Sequence, residues 1–364
     1  MIKRDTPDFI IVFCTLAILS IGIIMVYSSS AVLSFHKFGD YYYYVKRQLL
    51  FAGIGIVAMF IVMQIDYWVW RRWAKVGLLV CFILLVLVLI IGVERNGSKS
   101  WIGFGSFSIQ PAEFIKIWMI IFLASMLSAR QKWMSSFLRG VLPYLGLVGL
   151  AFGLIMLQPD LGTGAVLVAT SVAVLFMAGM RLTHLVFLGL VGLVGFIGLV
   201  AAAPYRIARI TAFLDPWQDP LGAGYQIIQS LYAIGPGGLM GLGLGMSRQK
   251  FYYLPEPQTD FIFAILAEEL GFLGGATVLC LFALLLWRGM RVAICAPDLY
   301  GSLLAGGIVA MISIQVVINI GVVTGLFPVT GITLPLLSYG GSSLTLMLTA
   351  LGILLNISRY ARSR

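Results

Sequence analysis

The sequence predicts an all-α polytopic integral membrane protein with about ten transmembrane helices. Of its 364 residues, 60% are hydrophobic and 10% are charged, whereas an ordinary soluble domain has roughly 45–50% and 25%. The mean hydropathy is +1.02. Apolar runs near or above the length needed to cross a bilayer recur along the chain, separated by polar links. These observations exclude a soluble globule.

The predicted spans follow one another from the N-terminus to the C-terminus. They lie at 9–32, 49–65, 76–93, 112–128, 141–157, 163–180, 184–203, 261–287, 301–323 and 341–357. The first run is too long for the apolar part of a signal peptide, so we interpret it as an uncleaved helix. An even number of spans places both termini on the same side, and we interpret residues 1–364 as a single membrane domain.

The distribution of Lys and Arg predicts the orientation of these spans. Fourteen of the 24 basic residues lie at the termini or in the mostly short links on their side, and nine lie in the longer links opposite. The positive-inside rule therefore predicts cytoplasmic termini and a large extracellular loop at 204–260, between the seventh and eighth spans. The net charge of +10 is scattered rather than gathered on one face, which argues against nucleic acid as a partner.

Polar residues concentrate in the predicted outer links, so any functional site is expected to face outward. The segments concerned are 95–114, 157–164, 204–260 and 328–344. Within the long link, residues 221–235 can form an amphipathic helix at the membrane surface, and residues 235–245 form a Gly-rich turn. That turn has no Walker lysine and follows no strand, which excludes a nucleotide site. The four cysteines have no spacing typical of a metal site or a disulfide framework.

Long motifs in these segments resemble the SEDS family (shape, elongation, division, sporulation). They are NGSKSWIGFGSFSIQPAEFIK (96–116), QPDLGTG (158–164), APYRIARITAFLDPWQDPLGAGYQIIQSLYAIGPGGLMGLGLG (203–245), LPEPQTDFIFAILAEELGF (254–272) and PVTGITLPLLSYGGSS (328–343). The resemblance covers almost the whole chain. It is closest to the branch that contains FtsW and stage V sporulation protein E, rather than to the elongation branch.

The resemblance implies a ten-helix peptidoglycan glycosyltransferase. Such a protein polymerises lipid II at the outer face of the cytoplasmic membrane, in division or spore cortex synthesis, together with a class B penicillin-binding protein. It also maps the catalytic aspartate of the family onto Asp260, through the context TDF. Read from the residues alone, Asp260 lies where the long link meets an apolar span, so partial desolvation would raise its pKa toward that of a general base. The alternative is that Asp260 only caps the eighth helix.

Asp160 lies in the short turn between the fifth and sixth spans, after Pro159. It can cap the sixth helix. Facing a cavity instead, it could orient a basic residue or hold a divalent cation, Mg²⁺ or Mn²⁺, that bridges to pyrophosphate. No cofactor is required by the sequence.

Four further charged residues lie inside predicted spans. Glu113 and Lys116 are three residues apart on one helix face, so we expect them to pair, either as a structural salt bridge or at a polar cavity beneath Asp260. Glu268 and Glu269 are adjacent and diverge by about 100° on a helix, so we expect each to have different partners.

Four basic residues of the long link are the candidates for binding the pyrophosphate of lipid II. They are Arg206, Arg209, Arg248 and Lys250. Arg206 and Arg209 could grip one phosphate group if their stretch is helical. The alternative is that these cations contact anionic lipid headgroups.

Two other classes of function remain open from the sequence. The chain could flip lipid II between leaflets, or it could be a non-catalytic scaffold that recruits a transpeptidase. The first is disfavoured because the conspicuous polar segments are all on one side. The second leaves Asp260 without a role.

Overall fold

The computed structural model describes residues 5–95, 98–104 and 107–361, and helices dominate it. The helices are α1 (Phe9–Phe38), α2 (Tyr43–Gln64), α3 (Tyr67–Ile91), α4 (Pro111–Ala129), α5 (Leu142–Met156), α6 (Leu161–Met177), α7 (Leu182–Ala201), α8 (Pro204–Leu214), α9 (Tyr225–Ile234), α10 (Ile262–Cys295), α11 (Leu299–Val323) and α12 (Gly341–Ser358). A π-helical turn, Phe137–Val141, precedes α5.

Each predicted span coincides with a helix. Nine helices of the described ranges are long and apolar enough to cross a membrane, and α6 is a shorter apolar helix of 17 residues. Four helices are longer than the predicted spans: α2 and α3 begin earlier, at Tyr43 and Tyr67, and α1 and α10 end later. α1 continues to Phe38, where the left-handed Gly39 closes it by donating its N–H to the Phe35 carbonyl at 2.8 Å, and α10 continues to Cys295.

The spans pack as a bundle around its most buried members, α4, α11 and α12. α12 lies along α2, α3 lies along α4, and α1 lies along α10. α7 buries none of its residues. Its leucines and valines leave no polar face, so lipid can surround it.

The two ends of the chain meet at one end of the bundle. The backbone N–H of Asp5 donates to the Arg359 carbonyl at 2.9 Å. Asp8 caps α1 through the N–H groups of its first turn and pairs with Arg288 at 2.6 Å. This arrangement agrees with the prediction that both termini lie on the same side.

The opposite end of the bundle contains a small β-sheet, which the all-α prediction omitted, and two short helices in the long link. A three-stranded antiparallel sheet, β1 (Val93–Arg95), β2 (Ser98–Phe104) and β3 (Phe107–Ile109), lies between α3 and α4. The link from α7 to α10 contains α8 and α9. α9 lies within the stretch 221–235, so the helix predicted there is confirmed, and its location at the membrane surface stays a prediction.

The eighth predicted span is broken rather than continuous. Gly271, in α10, has φ 65° and ψ −162°, a backbone conformation that essentially only glycine adopts. The Gly-rich turn pairs with the break: Leu242 and Gly243 donate N–H groups to the carbonyls of Glu268 and Glu269, each at 3.0 Å. The turn therefore replaces helical hydrogen bonds that the break leaves open.

Candidate active site

The backbone before α10 is fixed at three successive carbonyls. Those of residues 258–260 accept, in order, from the N–H of Tyr339 at 2.9 Å, the hydroxyl of Ser338 at 2.6 Å and the amide of Asn319 at 2.8 Å. Ser338 and Tyr339 belong to the segment between α11 and α12, and Asn319 belongs to α11. These bonds determine where the Asp260 side chain begins.

The carboxyl of Asp260 faces the turn that precedes α12. A Cβ atom added at Gly331 would lie 3.8 Å from its Oδ2, and the φ of +77° at Gly331 disfavours any other residue. The N-cap of α10 is Phe261, and no side chain caps this helix. The alternative that Asp260 only caps the eighth helix is therefore wrong. Within the described ranges, the Asp260 carboxylate accepts no hydrogen bond.

The surroundings of Asp260 favour its protonated form more than water does. Burial by protein raises the pKa of Asp260 to about 7, although the residue keeps partial contact with solvent. Burial is the largest cause of this rise in pKa; the negative charges of Glu256 and Asp160 contribute to it, and the positive charge of Arg209 opposes it. A carboxyl of this kind is half deprotonated near neutral pH, as a general base requires.

Asp160 lies close to this carboxyl but is occupied on both oxygens. Its Oδ1 accepts the N–H of Thr163 at 2.9 Å, which confirms that it caps α6, and its Oδ2 accepts the Gln110 side-chain amide at 3.0 Å. Burial raises the pKa of Asp160 above its ordinary value. The described residues include no group of three His, Cys, Asp or Glu side chains that could hold a metal ion.

Glu113 and Lys116 form the predicted pair, with Lys116 Nζ 2.7 Å from Glu113 Oε1 and both side chains almost fully buried. The second oxygen of Glu113 accepts the Ser343 hydroxyl at 2.9 Å. This bond joins the start of α4 to the start of α12. Both charges lie within electrostatic range of Asp160, so the pair lies in the same polar region as Asp260.

Glu268 and Glu269 have different main partners, as predicted, but both bind one short loop. Glu268 accepts from the Ser247 hydroxyl at 2.5 Å and from the Arg248 N–H at 2.8 Å. Glu269 accepts the Ser28 hydroxyl of α1 at 2.6 Å and the Ser247 N–H at 3.2 Å. Together they fix residues 247–248 against α10.

Lys250 lies inside this polar network rather than in an open cation site. Its Nζ is 3.1 Å from Glu269 Oε1 and 2.6 Å from the Gly245 carbonyl, and 7% of the residue is exposed. The predicted contact of Lys250 with pyrophosphate would require this ion pair to open. The geometry instead gives Lys250 a structural partner.

The other three predicted cations lie nearer to the surface. Arg206 and Arg209 belong to α8, so the condition that their stretch is helical is met. Arg206 donates to the Leu199 carbonyl at 2.9 Å and Arg209 to the Val329 carbonyl at 3.3 Å. Arg248 is exposed. Of these cations, Arg209 influences the Asp260 carboxyl.

Three residues that position the site were not predicted from the sequence: Asn319, Ser338 and Ser343. Asn319 is one of two amide side chains, with Gln315, in an otherwise apolar span, and such polar residues commonly mark a functional interior. Ser338 and Ser343 lie in the segment that we identified as polar, but sequence gives no indication that they bind a carbonyl and a buried carboxylate.

With this geometry established, the chain can be compared with known proteins. Residues 9–363 match the profile of the FtsW/RodA/SpoVE family, described as cell cycle proteins. Stage V sporulation protein E of Bacillus subtilis is 66% identical over 362 residues, which cover 99% of each chain. A probable peptidoglycan glycosyltransferase FtsW of Trichlorobacter lovleyi is 46% identical over 353 residues, covering 96% of this chain and 93% of the relative.

A solved structure shares the fold. It is a chain of a peptidoglycan synthase complex described as coordinating polymerization and crosslinking, with a TM-score of 0.80 and 34% identity over 97% of this chain and 98% of the other. The family profile covers nearly every residue, including the segments that surround Asp260. The chain belongs to the FtsW/RodA/SpoVE family of membrane proteins.

Proposed function

We propose that this chain polymerises lipid II into glycan strands at the outer face of the cytoplasmic membrane, in division or spore cortex synthesis, as an inverting glycosyltransferase. The relatives named peptidoglycan glycosyltransferases support this class of reaction. One observation carries the mechanism: the Asp260 carboxyl is free of hydrogen bonds from the described residues, and its pKa is raised to about 7.

In this proposal Asp260 is the general base. Its carboxylate takes the proton of the 4-hydroxyl on the acceptor sugar while the hydroxyl oxygen bonds to the anomeric carbon of the donor. The bond from that carbon to the pyrophosphate oxygen breaks, and its electron pair leaves with the polyprenyl pyrophosphate. A single displacement of this kind inverts the anomeric carbon.

The departing pyrophosphate needs positive charge near the base. We assign this role first to Arg209, which is the cation that influences Asp260, and then to Arg206 and Arg248. A divalent cation, Mg²⁺ or Mn²⁺, beside Asp160 would neutralise the same group. Loss of activity on chelation, with recovery on adding either ion, would support that part of the proposal.

We propose a class B penicillin-binding protein as the partner. The similarity to a chain in a complex that couples polymerization to crosslinking supports this assignment. We expect polymerisation to be strongly enhanced by a cognate single-span transpeptidase, and equal activity with and without it would argue against the partnership.

The decisive experiment uses purified protein, its transpeptidase and labelled lipid II, with glycan chains resolved on a gel. We expect the Asp260→Asn variant to lose activity by about 10²–10⁴-fold, the usual contribution of general-base catalysis. Its folded yield and partner binding should stay normal, because Asn keeps the shape of the side chain. Residual activity within about threefold of the unmodified chain would mean that Asp260 is not the base.

The same experiment separates the alternative functions. A flippase would move labelled lipid II between leaflets of a vesicle without making glycan chains. A scaffold would bind the transpeptidase and leave lipid II unchanged in both variants. Either result would overturn the proposed activity.

A further inference from the structure

A patch of exposed aromatic rings lies where α1 ends and α2 begins. The rings of Phe35 and Tyr41 stack with centroids 4.2 Å apart, and those of Phe38 and Tyr43 stack at 3.8 Å. Phe35, Phe38, Tyr41 and Tyr42 are each 47–51% exposed. We call these five residues the aromatic platform. About half of the surface of Phe35, Phe38, Tyr41 and Tyr42 is open, whereas Tyr43 is half-buried and carries the Arg47 guanidinium 5.6 Å from its ring centroid.

The platform extends beyond the expected level of the hydrocarbon. α1 has 30 residues, about 45 Å of helix, whereas a bilayer core is about 30 Å thick. If the start of α1, capped by Asp8, lies at the opposite edge of the core, its last turns project up to about 15 Å past the core. An ion pair between Lys46 and Asp40, at 2.7 Å, lies beside the rings. This position differs from that of an interfacial aromatic belt, which ends at the headgroups.

The platform is continuous with the candidate active site. Tyr44, the next residue along the chain, packs edge to face on Tyr339 with centroids 5.0 Å apart. Tyr339 in turn donates its N–H to the Gln258 carbonyl, two residues before the proposed base. A second contact joins the end of α1 to the loop that leads to α10: His36 packs edge to face on Tyr252, with ring centroids 5.6 Å apart. A polymer leaving the site would therefore meet these rings.

We propose that the aromatic platform binds the nascent glycan strand as it leaves the active site. The proposal rests on the polymerase activity proposed above. A chain of 1,4-linked amino sugars presents flat C–H faces, which stack on open aromatic rings, and a rim of equatorial polar groups. Asp40 and Lys46 offer an acceptor and donors at the edge of the rings for that rim. A hydrocarbon tail would match the rings but not this ion pair.

Direct binding tests the proposal independently of catalysis. The probe is a soluble β-1,4-linked N-acetylglucosamine oligosaccharide, titrated calorimetrically into the full chain carrying Asp260→Asn. We expect Tyr41→Ala and Phe38→Ala each to weaken binding roughly tenfold, because each removes one stacking face. Both residues are about half exposed, so neither change should prevent folding. Tyr41→Phe keeps the ring and should bind as before.

The matched control is Phe13→Ala. Phe13 is an aromatic residue near the opposite end of α1 and is 63% exposed. We expect this variant to bind the oligosaccharide normally. Unchanged binding in the platform variants, or an equal loss in Phe13→Ala, would overturn the proposal.

Product length gives a second measurement on the catalytically intact chain. With labelled lipid II and the transpeptidase, Tyr41→Ala should yield shorter glycan strands than Tyr41→Phe for the same amount of lipid II consumed. Equal length distributions in the two variants would contradict a role for the ring. If the unmodified chain made no glycan but still bound the oligosaccharide through Tyr41, the proposed activity would fail while the platform remained a glycan site.

Discussion

At the scale of single residues, the two aspartates of the site differ in the hydrogen bonds that their carboxylates accept. Both carboxylate oxygens of Asp160 accept hydrogen bonds, one from Thr163 and one from Gln110, so this carboxylate stabilises the start of α6. Asp260 is fixed through its backbone carbonyl by Asn319, and its carboxylate accepts no hydrogen bond from the described residues. A carboxylate that is positioned but not engaged can accept a proton from a ligand. This difference supports the proposal that Asp160 has a structural role and that Asp260 is the general base.

The raised pKa of Asp260 predicts the pH dependence of polymerisation. The base acts in its deprotonated form, so kcat/KM should fall about tenfold per pH unit below the pKa of about 7 and level off above it. Because the positive charge of Arg209 lowers this pKa, Arg209→Gln should move the midpoint to higher pH. The control is Arg248→Gln, which should leave the midpoint in place. A flat profile from about pH 5.5 to 8.5 would contradict a titrating Asp260.

Because Glu113 and Lys116 form a buried ion pair, replacing one of them should destabilise the protein, and replacing both should restore most of the stability. Lys116→Met leaves a buried carboxylate without its cation, and we expect the free energy of unfolding to fall by about 3–5 kcal/mol. Adding Glu113→Gln removes the charge and should restore most of that loss. Thermal unfolding of the purified chain measures both steps. If the single and double variants unfolded at the same temperature, the pair would not be a stabilising unit.

At the scale of elements, α10 and the Gly-rich turn form one unit. The break at Gly271 opens helical carbonyls, and the turn at 238–243 bonds to them from outside the helix. Glu268 and Glu269 then fix the following residues, 247–248, from the same stretch of α10. The loop that ends at Asp260 is thus attached to the helix that begins after it.

Gly271 is predicted to tolerate no side chain. A Cβ atom there would lie 2.3 Å from the Gly241 backbone nitrogen, and its φ is +65°. We expect Gly271→Ala to lower the free energy of unfolding by about 1–3 kcal/mol or more, the usual cost of strain in this region of φ and ψ. Gly195→Ala in α7, where nothing lies within 4 Å of the added Cβ, is the control. Equal unfolding temperatures for the two variants would contradict the strained break.

Substitutions in the ion pair of Lys250 and Glu269 test whether Lys250 has a structural role or binds pyrophosphate. Lys250→Met should destabilise the loop, because Glu269 is fully buried and would lose its cation. In the double variant, Lys250→Met with Glu269→Gln, stability and polymerisation should both recover. If stability recovered while KM for lipid II stayed raised severalfold, Lys250 would be a pyrophosphate ligand, as the sequence alone predicts.

At the scale of the whole molecule, the candidate site lies between the ends of several helices. α4, α6, α10 and α12 all begin close to it, and the segments before them supply Gln110, Asp160, Asp260 and Ser338. The chain termini meet at the other end of the bundle, beside Arg288. The polar site and the termini are therefore at opposite ends of the helical bundle.

Topology reporters test the orientation that the basic residues predict. A fusion after Arg364 should be active only when its reporter works in the cytoplasm, and an insertion near Gly222 only when its reporter works outside. The reason is the concentration of fourteen Lys and Arg at the termini and in the links on their side. An external C-terminus would contradict the ten-span arrangement, and an internal Gly222 would place the proposed site on the wrong side for an outer-face polymerase.

The sequence by itself determined the spans, the buried pair of Glu113 and Lys116, and the candidate base. Spans follow from hydrophobic length, and the pair follows from helical spacing, so both are local properties of the chain. The long motifs identified the family, and through it Asp260.

Only the tertiary structure decided which polar groups meet. Lys250 is a cation of the kind that binds phosphate, yet folding buries it against Glu269, 19 residues later in the chain. Asn319 positions Asp260 by reaching a backbone carbonyl 59 residues away, and the break at Gly271 exists because a distant turn bonds to it. The contacts of Asn319 and Gly271 involve backbone groups that every residue carries, and the partner of Lys250 lies in another element, so no local pattern distinguishes these contacts before the chain is folded.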